Sequence, residues 1–161
     1  MNRTLKLLAI GFTLVSLTGC LGTQTTKQGV VGIERQQLMM ISEQEMTQGA
    51  QKAYKAILKE ARNKKTLNTD SKTVERIRII GNRLIPQTAV FRKEAPRWDW
   101  EINLIKSDQL NAWCMPGGKI AFYTGIIEKL NLNDDEIAAI MGHEMAHALR
   151  EHGRERASQA Q

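Results

Sequence analysis

A chain of 161 residues with 42% hydrophobic and 25% charged content can build one modest domain with a real core, which excludes a disordered or fibrous class. The formal net charge of +6 raises the question of an anionic partner. The basic residues are scattered among acids along helical patterns, with no compact basic run interleaved with aromatics, so nucleic acid is not an expected partner.

At the N-terminus Arg3 and Lys6 form a short positive region, and Leu7 to Leu17 is an apolar run too short to span a bilayer as an ordinary helix. The run closes in Leu17-Thr18-Gly19-Cys20, the pattern of a lipobox. Residues 1–19 therefore read as a lipoprotein signal peptide, with Cys20 diacylated and left as the first mature residue. Several acyl chains on one residue give stable anchoring, at roughly 0.8 kcal/mol per buried methylene. Leu21, rather than an aspartate, follows the cysteine. That suits an outer-membrane location with the domain facing the periplasm. Cleavage removes Arg3 and Lys6 and no acid, lowering the formal charge from +6 to +4. Cys114 then remains as a lone thiol without an intrachain partner, and is expected to be buried and inert.

Residues 20–41 include the polar, glycine-rich stretch Gly22 to Gly32 and suit a flexible tether. The domain proper begins at Ser42. Ser42 and Glu45 form a capping box, and Met46, Ala50, Ala53, Tyr54, Ile57, Leu58 and Ala61 recur at helical spacing to near Lys64. A second helix is expected from Asp70, with Val74, Ile77, Ile80 and Leu84 inward and Pro86 ending it. Trp98, Trp100, Ile102 and Leu104 alternate with Asp99, Glu101 and Asn103, the pattern of a strand with one buried face. Pro116-Gly117-Gly118 is a turn between extended segments, and a short helix follows near Gly125 to Leu130. Asn133 with Glu136 caps the last helix. The order predicts an α+β domain, helices packed on a small antiparallel sheet.

That last helix carries His143-Glu144-Met145-Ala146-His147. Residues four apart differ by about 40° around a helix, so both imidazoles project from one face and can bind one tetrahedral Zn²⁺. Glu144 lies about 100° from His143, too far round to be a ligand but able to reach a water on the metal as general base. Ile137, Ile140, Met141 and Ala148 offer an apolar side to hold the helix, and Gly142 and Ala146 leave room for other backbone near the metal. His152 is not an expected ligand. On a continuing helix it sits about 180° from His143, and no glycine interrupts Ala148-Leu149-Arg150-Glu151. It reads as a helix C-terminal residue or as a hydrogen-bonder behind a ligand.

Taken together, the lipobox, the helical region, "NAWCMPGGKIAFYTGII" and "DDEIAAIMGHEMAHALREHG" resemble the HtpX/Oma-type zinc metalloproteases. This gluzincin group includes lipid-anchored members in the bacterial outer membrane. The segment Asn-Ala-x-x-x-Pro-Gly-Gly before His-Glu-x-x-His is the more specific mark. The resemblance implies a zincin-type active-site helix towards the C-terminal end of residues 42–161, with one zinc ion per chain. It implies His143 and His147 as ligands, Glu144 as general base, and a third ligand glutamate on a later helix, in a Glu-x-x-x-Asp context that these residues do not include. It implies that Asn111 to Tyr123, beginning with Asn111, Ala112 and Trp113, supplies an edge on which an extended peptide pairs as an added strand. The implied activity is that of an envelope metalloendopeptidase acting on unfolded or misassembled proteins, with envelope proteases or chaperones as partners. The alternative is a catalytically incomplete lipid-anchored binding or assembly protein.

Cys20→Ser is expected to leave the mature domain soluble or held as uncleaved precursor, because no other segment is apolar enough for a membrane. Fractionation of cells expressing both forms checks it, and unchanged outer-membrane recovery of the variant would rule the lipobox out.

Overall fold

A computed structural model describes residues 22–27 and 36–160; the expected signal peptide and Cys20 lie outside the described residues. Helix α1, Glu43–Asn63, starts at the expected capping box. The Ser42 hydroxyl accepts from the Glu45 amide and the Glu45 carboxylate accepts from the Ser42 amide, each at 3.1 Å. Ala50, Tyr54, Leu58 and Ala61 form its buried stripe. Helix α2, Ser71–Leu84, is capped by the Asp70 carboxylate, and Pro86 lies in the 3₁₀ turn Ile85–Val90 that follows it.

Three strands follow: β3 (Glu101–Ile105), β4 (Ala112–Met115) and β5 (Lys119–Tyr123). The β4–β5 hairpin turns at Pro116-Gly117-Gly118, where Gly117 and Gly118 have φ of +82° and +83°, conformations that glycine adopts without a side-chain clash. Helix α3 is Thr124–Lys129 and α4 is Asp134–Leu149, the latter opened by the Asn133–Glu136 capping box. Helix α5, His152–Gln159, closes the described fold.

Alternation along the strands assigns the two sheet faces. Ile102, Leu104, Ala112, Ile120 and Phe122 face the cluster that holds Val74, Ile77 and Ile80 of α2 and Ile137, Met141 and Met145 of α4. Ile105, Trp113, Ala121 and Tyr123 face Ile57 and Ala61 of α1. The sheet is thus covered by α1 on one side and by α2 and α4 on the other. The α+β class holds.

Two expectations about the sheet are corrected. It is mixed, not purely antiparallel: the strand order is β3-β5-β4, with β3 parallel to β5 and β4 antiparallel to it. The hairpin inserts its second strand beside β3, a non-local pairing that alternation does not encode. Strand β3 is also buried on both faces, as a strand covered by helices on each side must be. Its polar Asn103 is buried because partners reach it: it donates to the Tyr54 hydroxyl of α1 at 2.6 Å and accepts from Asn68 at 2.7 Å, while Tyr54 donates to the half-buried Glu101 at 3.0 Å.

The segment expected as a tether differs in its described parts. Gly22–Thr23 (β1) pairs antiparallel with Gln37–Leu38 (β2). Ser158 of α5 accepts from the amides of Met40 and Ile41 at 2.9 and 3.1 Å. Backbone amides and a buried serine settle that docking, and neither leaves a hydrophobic period. Among the described residues no helix is long and apolar enough to cross a membrane.

Gly125 gives the fold a sharp test. A Cβ there would lie 2.5 Å from the Asp108 carbonyl carbon and 2.7 Å from the Gln109 oxygen. Helix propensity alone favours alanine by about 1 kcal/mol, but the obstacle is backbone, and overpacking of this kind costs about 1–3 kcal/mol. Gly125→Ala is therefore expected to destabilise the domain, read as a lower urea midpoint at unchanged slope.

Candidate active site

Helix α4 presents its residues by a simple division. Ile137, Met141, Met145 and Ala148 are buried and lie within about 80° of arc on a helical wheel. His143 falls about 160° and His147 about 120° from the centre of that stripe, and Glu144 about 60° from it. His143 is accordingly exposed, while Glu144 and His147 are half-buried. A Cβ added at Gly142 would meet nothing within 4 Å among the described residues, so the histidine flank is open there and no backbone closes on it.

The two ligand candidates converge. His143 Nε2 and His147 Nε2 lie 3.0 Å apart with the rings at 89°. Two nitrogens bound tetrahedrally at about 2.0–2.1 Å would be separated by roughly 3.3 Å, so the pair stands close to a chelating geometry. Neutral imidazole nitrogens suit zinc. Among the described residues no group of three or more His, Cys, Asp and Glu side chains could hold a metal, so the fit extends to two ligands.

His152 is where the geometry departs most from expectation. Helix α4 does not continue to it. Glu151 adopts a left-handed conformation, φ 53° and ψ 34°, and α5 starts at the next residue. The turn brings His152 Nδ1 to 2.6 Å from His147 Nδ1. His152 thus faces His147, and the expected placement at a helix C-terminus is not what is seen, since α5 starts there.

An ionic cluster around the buried Glu151 carboxylate holds that break. The Glu151 carboxylate accepts from Arg92 at 2.9 Å and from Arg154 at 2.7 Å. Arg92 also bonds Glu94 at 2.7 Å and Glu43 at 3.1 Å, and lies 5.2 Å over the Trp98 ring. The Arg150 carbonyl at the end of α4 accepts from Gln37 at 2.8 Å and Thr25 at 3.1 Å. Arg92 and Gln37 escape detection in the sequence because their partners Glu151, Arg150 and Glu155 are far away in the chain.

Strand β4 lies alongside the same helix. Its Ala112 and Cys114 face the α4 core, and Trp113 packs edge-on to Tyr54 at 6.1 Å under α1. Asn111 is exposed, while the side chains of Ala112 and Trp113 are committed to packing. Among the described residues β4 pairs only with β5. The Tyr123 amide donates to the Asn111 carbonyl at 3.1 Å, so alternation of the antiparallel ladder turns the amides and carbonyls of Ala112 and Cys114 outward at the free edge. Burial pushes the Cys114 thiol pKa up, and the nearby Glu144 carboxylate adds to the rise. Glu144 thus lies near enough to Cys114 of β4 for its charge to be felt there.

The chain's likenesses bear on this geometry. The profile described as Peptidase family M48 matches residues 71–161. The mitochondrial metalloendopeptidase OMA1 of Arabidopsis thaliana is 38% identical over 53 residues, 33% of this chain and 11% of that protein. The Bos taurus OMA1 is 33% identical over 60 residues, 37% of this chain and 11% of that protein. The Saccharomyces cerevisiae OMA1 is 38% identical over 63 residues, 38% of this chain and 18% of that protein. The matched part thus spans less than a fifth of each of these curated relatives. No solved structure matches.

Because its thiolate is disfavoured, Cys114 should alkylate in the native state at least roughly tenfold more slowly than in denaturant at mildly alkaline pH. The raised pKa keeps the thiol protonated there, so native labelling should quicken only at higher pH. Glu144→Gln should restore part of the rate, not all, since burial is the larger cause. Fast native labelling would place the thiol in solvent instead.

Proposed function

Because the chain belongs to peptidase family M48, we propose that it forms the zinc-holding part of a metalloendopeptidase site, with His143 and His147 as ligands and Glu144 as general base. The convergence of the two Nε2 atoms to 3.0 Å on an open flank is the observation that carries this reading. Zinc supplies a Lewis acid that polarises a carbonyl and lowers the pKa of water towards about 7. The Glu144 carboxylate takes the proton of the attacking water and returns it to the leaving amine. An extended peptide laid on β4 pairs with the outward amides and carbonyls of Ala112 and Cys114, which aligns its backbone beside Glu144. Such pairing needs an unfolded stretch, which favours unfolded or misassembled envelope proteins as substrates. The lipobox ending at Cys20 supports outer-membrane anchoring with the domain in the periplasm, where envelope proteases or chaperones are the fitting partners. The second reading is a lipid-anchored binding or assembly protein, which would keep the His143–His147 pair without hydrolysis.

Two substitutions in the full-length protein decide between them. His147→Ala removes a metal bond, so bound zinc and casein hydrolysis should fall together. Glu144→Gln keeps the shape but accepts no proton, so zinc should stay while turnover falls by about 10²–10⁴. Stoichiometric zinc without any Glu144-dependent cleavage would favour the binding protein.

A further inference from the structure

A histidine that binds metal through Nε2 uses that lone pair, so in its neutral form the ring hydrogen sits on Nδ1. Whatever accepts the Nδ1–H then fixes both tautomer and ring plane. In this chain the group facing His147 Nδ1 is Nδ1 of His152, 2.6 Å away. Two facing ring nitrogens bond only when one carries hydrogen and the other does not. If His147 Nε2 serves the metal pair, His147 donates and His152 accepts. His152 meets the nitrogen on the far side of the ring from His143, so it does not join the Nε2 pair as a ligand.

We propose that His152 is a positioning residue for His147, holding it as the Nδ1–H tautomer with Nε2 turned to His143; the metal part of this rests on the ligand role proposed above. The contact is built by the fold. On an unbroken helix His152 would lie about 140° round from His147. The left-handed Glu151 turns the chain so that it does not, and the buried carboxylate of that residue is held by Arg92 and Arg154. Gln37 bonds both the Arg150 carbonyl and Glu155, one residue before the break and four after it. The turn is thus fixed from three segments of the chain.

The test uses the full-length mature protein. Long-range ¹H–¹⁵N spectra of the metal-free form, at a pH where both rings are neutral, report which nitrogen of His147 carries hydrogen. Wild type should show Nδ1–H. His152→Leu, which cannot accept, should lose that preference; His152→Asn places Oδ1 near the lost Nδ1 and should keep it. Zinc affinity by competition with a chromophoric chelator should fall about 10–100-fold in His152→Leu and return most of the way in His152→Asn. An Nε2–H tautomer in wild type, or a leucine variant unchanged in both readouts, overturns the proposal. So does an asparagine variant as impaired as the leucine one. If no variant binds zinc yet the tautomer still follows residue 152, the positioning contact stands and the ligand assignment of His147 fails.

Discussion

Everything at the site depends on which face of α4 is buried. Ile137, Met141 and Met145 are almost wholly removed from solvent, and each such side chain contributes roughly 1.5–3 kcal/mol by burial. Rotating α4 by one residue would expose that stripe and bury both histidines. No hydrogen bond or exposed ion pair on this helix competes with that sum, since a surface pair such as Arg76–Asp134 contributes about 0–1 kcal/mol. Packing therefore sets the helix, and the direction of the imidazoles follows from it. Glu144, at the edge of the stripe, is half-buried for the same reason.

The break at Glu151 is a second constraint, electrostatic in kind. A left-handed non-glycine residue costs roughly 1–2 kcal/mol. Leaving a buried carboxylate without its partners costs about 3–5 kcal/mol. With Glu151 buried and Arg92 and Arg154 within bonding distance, the strained turn is the smaller of the two costs. Charge thus does what a glycine usually does. The same turn lets α5 receive the arm of residues 36–41, so the helix that presents His152 is held along its length as well as at its start.

The local structure was legible in the sequence because local chemistry specifies it. Ser42–Glu45 and Asn133–Glu136 mark two helix starts, Asp70 a third, and Pro116-Gly117-Gly118 the hairpin. His143 and His147 were legible as a pair on one face because a helix fixes their angles. What was not legible lies in partners remote along the chain. The parallel pairing of β3 with β5 depends on where the hairpin inserts. The burial of Asn103 depends on Tyr54, 49 residues earlier. His152 looked misplaced since glycine is the familiar signal for a helix break, and a glutamate held by two arginines carries no such signal. Gly22 to Gly32 lacks a period, yet the described residues on either side of its end dock through single hydrogen bonds that no periodicity records.

The two edges of the sheet are treated differently, and that asymmetry links fold to chemistry. Beside β3, the stretch 66–68 covers the edge: Asn68 donates to the Leu104 carbonyl and Lys106 to the Thr66 carbonyl, each at 2.8 Å. Beside β4, the described residues leave the outward groups of Ala112 and Cys114 without a strand. An open edge invites wrong pairing, and proteins usually shorten, cover or charge it. Here β4 is four residues long, bounded by a proline-glycine turn at one end, so only a short extended segment can add to it. A fold that closes one edge and limits the other to a few residues resists sheet growth. The edge left open belongs to the strand whose Cys114 feels the Glu144 charge.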